Sequence, residues 1–282
     1  MALKSDNLRF GTAGIPHSAP KGTPTNGGIE LVRKLGLDAM ELEFVHSVFL
    51  NEAKAKSAGE IAKKNSIFLT AHAPYYVNLN AAEKEKVEAS KKRIVDSARA
   101  LNFAQGYSCT FHPGYYLKDD PEAVFERMRV QFKDIMRILN DEGINDVWIR
   151  PETTGKPTQF GNLNELLKLS SEFERIMPCI DFAHLHARSN GKFNTTKEFR
   201  EVLELVEKHL GKRGLDNMHV HFSGIEYSEK GERNHLFLKV SDFNYKDWIR
   251  VIRDFKVKGV FICESPNIED DALMIKKLYE AK

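Results

Sequence analysis

Short apolar runs, each about the length of a strand, recur eight times along this chain, and the segments between them have helical spacing. The runs are LRFGT (8–12), AMELEFV (39–45), IFLTAHA (67–73), SCTFHP (108–113), DVWIRPE (146–152), PCIDFAH (178–184), MHVHFSG (218–224) and GVFICES (259–265). Between them, sets such as Val124, Met128, Phe132, Ile135, Met136 and Leu139 fall on one side of a helix, with charged residues on the other. Alternation of this kind builds a parallel sheet with crossover helices, and eight units close that sheet on itself. The expected fold is α/β, a single (β/α)8 barrel of the TIM type. Its first unit is the least regular, a short strand followed by a Gly/Pro-rich loop. A length of 282 residues would also accommodate two domains, but no low-complexity or Pro/Gly/Ser-rich linker interrupts the interior. Residues 1–282 therefore read as one barrel domain.

Helix punctuation agrees with these boundaries. Asp120-Pro121 offers a capping acceptor followed by proline at the first helical position, and Asn26-Gly27-Gly28 precedes another helix. Gly36, Gly143 and Gly211 fall near helix ends, where glycine relieves the left-handed cap conformation.

Charge and cysteine content narrow the function classes. Lys+Arg 42 against Asp+Glu 40 leaves a net charge of +2, which excludes a strongly basic nucleic-acid footprint and leaves room only for a local basic rim. The N-terminus, MALKSDNLRFGTAG, has no apolar leader core, and nowhere do about 18 apolar residues run together. A cytoplasmic protein without membrane contact is expected. Cys109, Cys179 and Cys263 are an odd number without Cys-x-x-Cys spacing, so buried free thiols are expected rather than a disulfide framework or zinc ribbon.

The polar residues that end the runs carry the chemistry. In a barrel, catalytic groups come from the C-terminal ends of strands, on one face. Here those ends supply His72, His112, Glu152, then Asp181 and His184, then His219 and His221, and finally Glu264. Glu232 and His235 follow in the loop after the seventh run. A lone buried histidine is more often a hydrogen-bonded core residue, and a lone strand-end glutamate more often a salt-bridge partner or cap. Six consecutive strand ends converging on one mouth are different, because carboxylates packed together repel strongly without cations. Imidazole and carboxylate donors suit zinc, manganese or iron, whereas calcium and magnesium prefer oxygen alone. The donors exceed what one tetrahedral ion needs, so two or three ions are expected. Paired ions about 3.5–4 Å apart suit hydrolytic displacement at phosphorus.

These segments resemble the endonuclease IV family of apurinic/apyrimidinic endonucleases. The matching stretches are AHAPYYVNL (71–79), TFHPGYY (110–116), RPETTGK (150–156), CIDFAHLHA (179–187), MHVHFSG (218–224) and ICESPN (262–267), in order from near residue 65 to the C-terminus. The resemblance implies a metal-dependent DNA repair endonuclease. Such an enzyme uses zinc (two or three ions, with manganese an alternative) to cleave the phosphodiester 5′ to abasic sites by metal-activated water, leaving a 3′-hydroxyl. It implies that His72 and His112 bind one ion and that Glu152 bridges to a second, completed by Asp181, His219 and Glu264. His184 would reach a third, with Glu152, Asp181 and Glu264 the catalytic carboxylates. Aligning Ser223 with the family's small residue places His219, rather than His221, in the ligand position, while His186 matches none. Tyr75 and Tyr76 match the paired residues that probe DNA. The implied partner is double-stranded DNA containing abasic sites, with no obligatory protein partner and a monomeric state.

Two departures stand out. The third-ion loop, KGERNHL, has Glu232 in the acid position and Asn234 in the His position, with His235 one residue further. Near the second run, EFVHSVFLN lacks the Asn-Gln-Arg-like element with which the family probes the DNA stack. The competing class is a metal-dependent sugar (phosphate) isomerase or epimerase on the same barrel, and the third is a non-catalytic metal-binding module. The former class usually has fewer imidazoles, and a purely structural zinc needs no open rim of donors.

Overall fold

The computed structural model describes residues 6–281, so the start of the N-terminal segment read above for a leader lies outside the described residues. Each of the eight runs forms a strand: β1 Leu8–Ala13, β2 Ala39–Glu43, β3 Phe68–His72, β4 Ser108–Phe111, β5 Trp148–Pro151, β6 Cys179–Asp181, β7 Met218–Phe222 and β8 Gly259–Cys263. They pair in the order β5-β4-β3-β2-β1-β8-β7-β6, every pair parallel. Two isolated parallel bridges, Ile149↔Ile176 and Glu152↔Cys179, join the two ends and close the barrel.

The helices follow in alternation: α1 Thr25–Lys34, α2 Glu52–Lys64, α3 Lys84–Phe103, α4 Pro121–Asp141, α5 Leu163–Ser171, α6 Phe182–Arg188, α7 Thr196–Leu215, α8 Tyr245–Asp254 and α9 Ile268–Glu280. Asp120 caps α4 by accepting from the Ala123 amide at 3.0 Å, with Pro121 behind it. That helix buries Val124, Met128, Phe132, Ile135, Met136 and Leu139. Full burial of such side chains is worth about 1.5–3 kcal/mol each. Gly36 and Gly143 follow α1 and α4 with φ of +87° and +71°, as their spacing predicts. Gly211, at φ +64°, sits at the kink where one helical stretch of α7 ends and the next begins, as its spacing predicts. Two sequence readings change. Asn26-Gly27-Gly28 lies inside α1, which starts after Pro24. The sixth strand stops at Asp181, and His184 and His186 lie on the short helix α6.

Two-residue alternation directs one set of side chains from each strand into the barrel. Ala39, Tyr107, Trp148, Met177, Val260 and Ile262 form an apolar cluster. Farther along the strands the interior turns polar. Ser108 Oγ of β4 meets His219 Nδ1 of β7 at 2.9 Å, although these strands are not sheet neighbours. Such a contact is possible only across the inside.

Candidate metal centre

Barrel register sets the height of each donor. Cys179 pairs with His219 and Asp181 with His221 in the β6–β7 ladder. His221 is therefore level with the strand-end carboxylates, and His219 sits one layer deeper. The expectation that His219 joins Asp181 and Glu264 is corrected: His221 Nδ1 lies 3.3 Å from Glu152 and 3.2 Å from Glu264. His219 instead faces Glu41 at 3.2 Å. The Ser223 alignment misplaced the pair because both histidines point inward and only the register with β6 distinguishes them.

One group of possible donors, Cys179, His219 and His221, lies in the deeper layer. At the mouth the donors fall into three overlapping groups, the atoms of each within 4.8 Å of one another: His72, His112 and Glu152; Glu152, Asp181, His221 and Glu264; Asp181, His184 and His235. Glu152 belongs to the first two and Asp181 to the last two. His72 and His112 approach different oxygens of Glu152, each at 3.4 Å. Glu232 stands 3.6 Å from His184 Nε2, at the third group. Both oxygens of Glu152, Oδ2 of Asp181 and both ring nitrogens of His221 are buried without a well-aligned hydrogen bond. Buried polar atoms are normally satisfied. These are aimed at one another at ion-pair distance yet off hydrogen-bond geometry, the arrangement that cations held between them would resolve. The imidazole and carboxylate donor set fits zinc or manganese.

Local structure aims each group. Asp181 ends β6 and caps α6, accepting from the His184 amide at 2.7 Å through Oδ1, which leaves Oδ2 for the cluster. His184 Nδ1 bonds the Thr153 carbonyl at 3.0 Å, turning Nε2 toward Glu232. His72 Nδ1 bonds the Ala73 carbonyl at 2.8 Å, and His235 Nδ1 the Glu264 carbonyl at 3.1 Å. Hydrogen bonds of this kind fix a ligand imidazole's tautomer and orientation.

The third group depends on a hairpin of Gly224–Ser228 and Gly231–Leu236. Its register pairs Glu226 with Asn234 and then Tyr227 with Glu232, so Arg233 is an extra, unpaired residue. Such a bulge resets the two-residue alternation. Glu232 and His235, three apart, therefore share the inner face, and Asn234 turns out to bond Glu226 at 2.9 Å. The hairpin lies close against the β5 loop: Glu232 N donates to the Gly155 carbonyl at 3.0 Å. A Cβ on Gly155 would stand 2.6 Å from Glu232 and 3.0 Å from His184. A Cβ on Gly231, at φ +91°, would stand 2.3 Å from the Gly155 carbonyl oxygen.

Charge is concentrated here. Burial pushes Glu152 up, but His221 and His112 hold it well below the usual carboxylate range. Burial and the charge of Glu41 push Glu43 up to about 8. Burial disfavours the charged form of His72, yet its hydrogen bond to Glu152 and the nearby Glu43 raise it to about 10. His184 is likewise held up against burial by Asp181 and Glu152. Burial lowers His219 to about 4. Protons thus balance the carboxylates where cations would otherwise do so.

Two acidic residues escaped the sequence reading. Glu41 of β2 is fully buried beside the cluster, and Glu43, two residues on, is half-buried there. The alternating glutamates in AMELE were the available signal. His186 is structural: its Nδ1 bonds the Lys192 carbonyl at 2.7 Å and its Nε2 meets Asp242 at 3.1 Å. Tyr75 and Tyr76 are 65% and 61% exposed on the rim. Tyr76 stacks on His46, 6.2 Å between centroids, which anchors one side of its ring. Cys109, Cys179 and Cys263 are free and buried.

Fold and site together define the class: the chain belongs to the xylose isomerase-like TIM barrel family, whose model matches residues 29–280. An uncharacterized protein of Methanocaldococcus jannaschii is 48% identical over 274 residues, covering 96% of this chain and 97% of its own. A probable endonuclease 4 of Clostridium botulinum is 25% identical over 190 residues, 66% of each chain. Among solved structures, endonuclease IV from Thermus thermophilus superposes with a TM-score of 0.73 at 20% identity, covering 96% of this chain and 97% of its own. A D-tagatose 3-epimerase-like protein gives the same TM-score of 0.73 at 18% identity, covering 96% and 95%. At these identities the superpositions speak for the fold alone. Among the described residues, no helix is long and apolar enough to cross a membrane.

Proposed function

We propose that this barrel is a metal-dependent DNA repair endonuclease that cleaves the phosphodiester 5′ to abasic sites with metal-activated water, leaving a 3′-hydroxyl. The observation that carries the reading is the fusion of three donor groups through shared carboxylates, Glu152 between the first and second and Asp181 between the second and third. Two or three zinc ions, or manganese in their place, would be held by His72, His112, Glu152, Asp181, His184, His221, Glu232, His235 and Glu264. When bound they supply Lewis-acid activation of water and offset charge growing on the leaving oxygen. Glu152, Asp181 and Glu264 fix the spacing of that charge around the phosphate. Burial pushes the nearest thiol, Cys179, up to about 12, so it is no ready nucleophile and direct attack by water is the simpler course. The open rim, with Phe49, Tyr75, Tyr76 and Tyr115 exposed, suits an extended substrate with an unpaired site better than a small enclosed sugar. A cytoplasmic monomer acting on duplex DNA completes the proposal.

The test offers protein purified without chelators a duplex with one abasic site and, in parallel, a panel of ketoses, aldoses and their phosphates. The expected result is incision 5′ to the site with a polymerase-extendable 3′-end, abolished by EDTA and restored by zinc. Interconversion of a sugar with the abasic duplex left intact would overturn the proposal in favour of the epimerase class.

A further inference from the structure

We infer that Glu41 is the positioning residue that decides which nitrogen of His221 faces the cluster: it takes Nε2–H, turning the Nδ1 lone pair toward Glu152 and Glu264. The inference rests on reading the cluster as a metal centre. His72, His184 and His235 each anchor Nδ1 on a backbone carbonyl. His221 is different. It points into the barrel, where the strand carbonyls are spent on the ladder, and both of its nitrogens face carboxylates. A neutral imidazole has one N–H, so one side must accept it and the other must receive a lone pair.

The surroundings of Glu41 favour one side for the proton. Its carboxylate is fully buried. Oε2 accepts from the Thr70 hydroxyl at 2.7 Å and faces His219 Nε2 at 3.2 Å. His219 Nδ1 lies 2.9 Å from Ser108 Oγ; a hydroxyl donating there leaves Nε2 as the protonated nitrogen, facing Glu41. With Oε2 so occupied, Oε1 remains, 2.8 Å from His221 Nε2, and each of these two atoms is buried without a well-aligned hydrogen bond to any other group. Ser108, His219, Thr70 and Glu41 thus form one buried run of polar groups leading to His221, hydrogen-bonded at Ser108–His219 and Thr70–Glu41 and at ion-pair distance at Glu41–His219 and Glu41–His221. A proton on Nε2 is the arrangement that gives each carboxylate oxygen a donor. A carboxylate behind a ligand imidazole fixes the tautomer and raises ligand basicity, and losing it typically weakens metal binding about 10–100-fold. Glu41→Gln removes the charge and can present an amide N–H₂ to Nε2, which favours the tautomer that blocks Nδ1.

Two measurements test the inference. In zinc-loaded wild-type protein labelled with ¹⁵N-histidine, long-range ¹H–¹⁵N spectra should show His221 protonated on Nε2 and metallated on Nδ1. Metallation on Nε2 would overturn the assignment, and this arm requires no variant to fold. In the cobalt-loaded proteins, Glu41→Gln should keep the full ion count at saturating metal, bind one ion about 10–100-fold more weakly and shift the visible absorption bands. Unchanged affinity and bands would reduce Glu41 to a packing role and overturn it. Loss of a whole ion at saturation would do so too, by making Glu41 a ligand, with Cys179, His219 and His221 around a deeper ion. Wild-type protein that takes up no cobalt would remove the metal centre itself and this inference with it.

Discussion

At the scale of single residues, Glu152 is shared by two donor groups and contacts four imidazoles: His72 and His112 at 3.4 Å, His221 at 3.3 Å and His184 at 3.1 Å. Glu152→Gln keeps the shape but removes the charge that would balance two cations. Turnover on the abasic duplex is expected to fall at least about 10²-fold. Near-normal turnover with metal retained would exclude the bridging role. The residues around Glu152 also show what a sequence reveals. His72, His112, Asp181 and Glu264 were legible because each follows an apolar run at the place where a barrel strand opens onto its mouth. Glu41 was not, because a glutamate inside AMELE reads as the solvent face of an alternating strand until the sheet is known to close around it. The choice between His219 and His221 was hidden for a related reason. Both point inward, and only the stagger of β7 against β6 sets their depth.

At the scale of elements, the hairpin after β7 supplies Glu232 and His235 to the third group, and its bulge at Arg233 explains why the imidazole stands one residue beyond its expected place. No local propensity announces that bulge, since nothing in GERNHL marks which residue will be left unpaired. The start of helix α6 likewise reads as strand, because an apolar run gives no sign of where pairing stops; the Asp181 cap ends it. The close approach of Gly155 to both Glu232 and His184 makes the third group separable by mutation. Gly155→Ala should displace the hairpin carboxylate, lower the bound metal by one ion in elemental analysis and leave the ions centred on Glu152 in place. Loss of all metal in this variant would mean that the groups bind as one unit, and an unchanged count would remove the hairpin from the centre.

At the scale of the whole molecule, the eight-unit alternation was legible throughout because it repeats, and each repeat supports the placement of its neighbours. What repetition could not reveal is where the sheet joins itself. That junction is narrow: the Ile149↔Ile176 and Glu152↔Cys179 bridges, the Thr153 amide on the Cys179 carbonyl at 3.0 Å, and the Asp181 amide on the Thr153 hydroxyl at 2.8 Å. Glu152 lies on one side of it and Asp181 on the other. Cations shared by these carboxylates would act like a rivet through the last stave of a cask, so that charging the site also fastens the wall. Binding that favours the closed form stabilises it by mass action, and the least-bonded segment is where opening is felt first. Stripping the metal should therefore lower the melting temperature and speed amide exchange at Thr153 and Asp181 more than at the β1–β2 ladder on the opposite side. Uniform acceleration around the ring would show that the wall holds without its rivet.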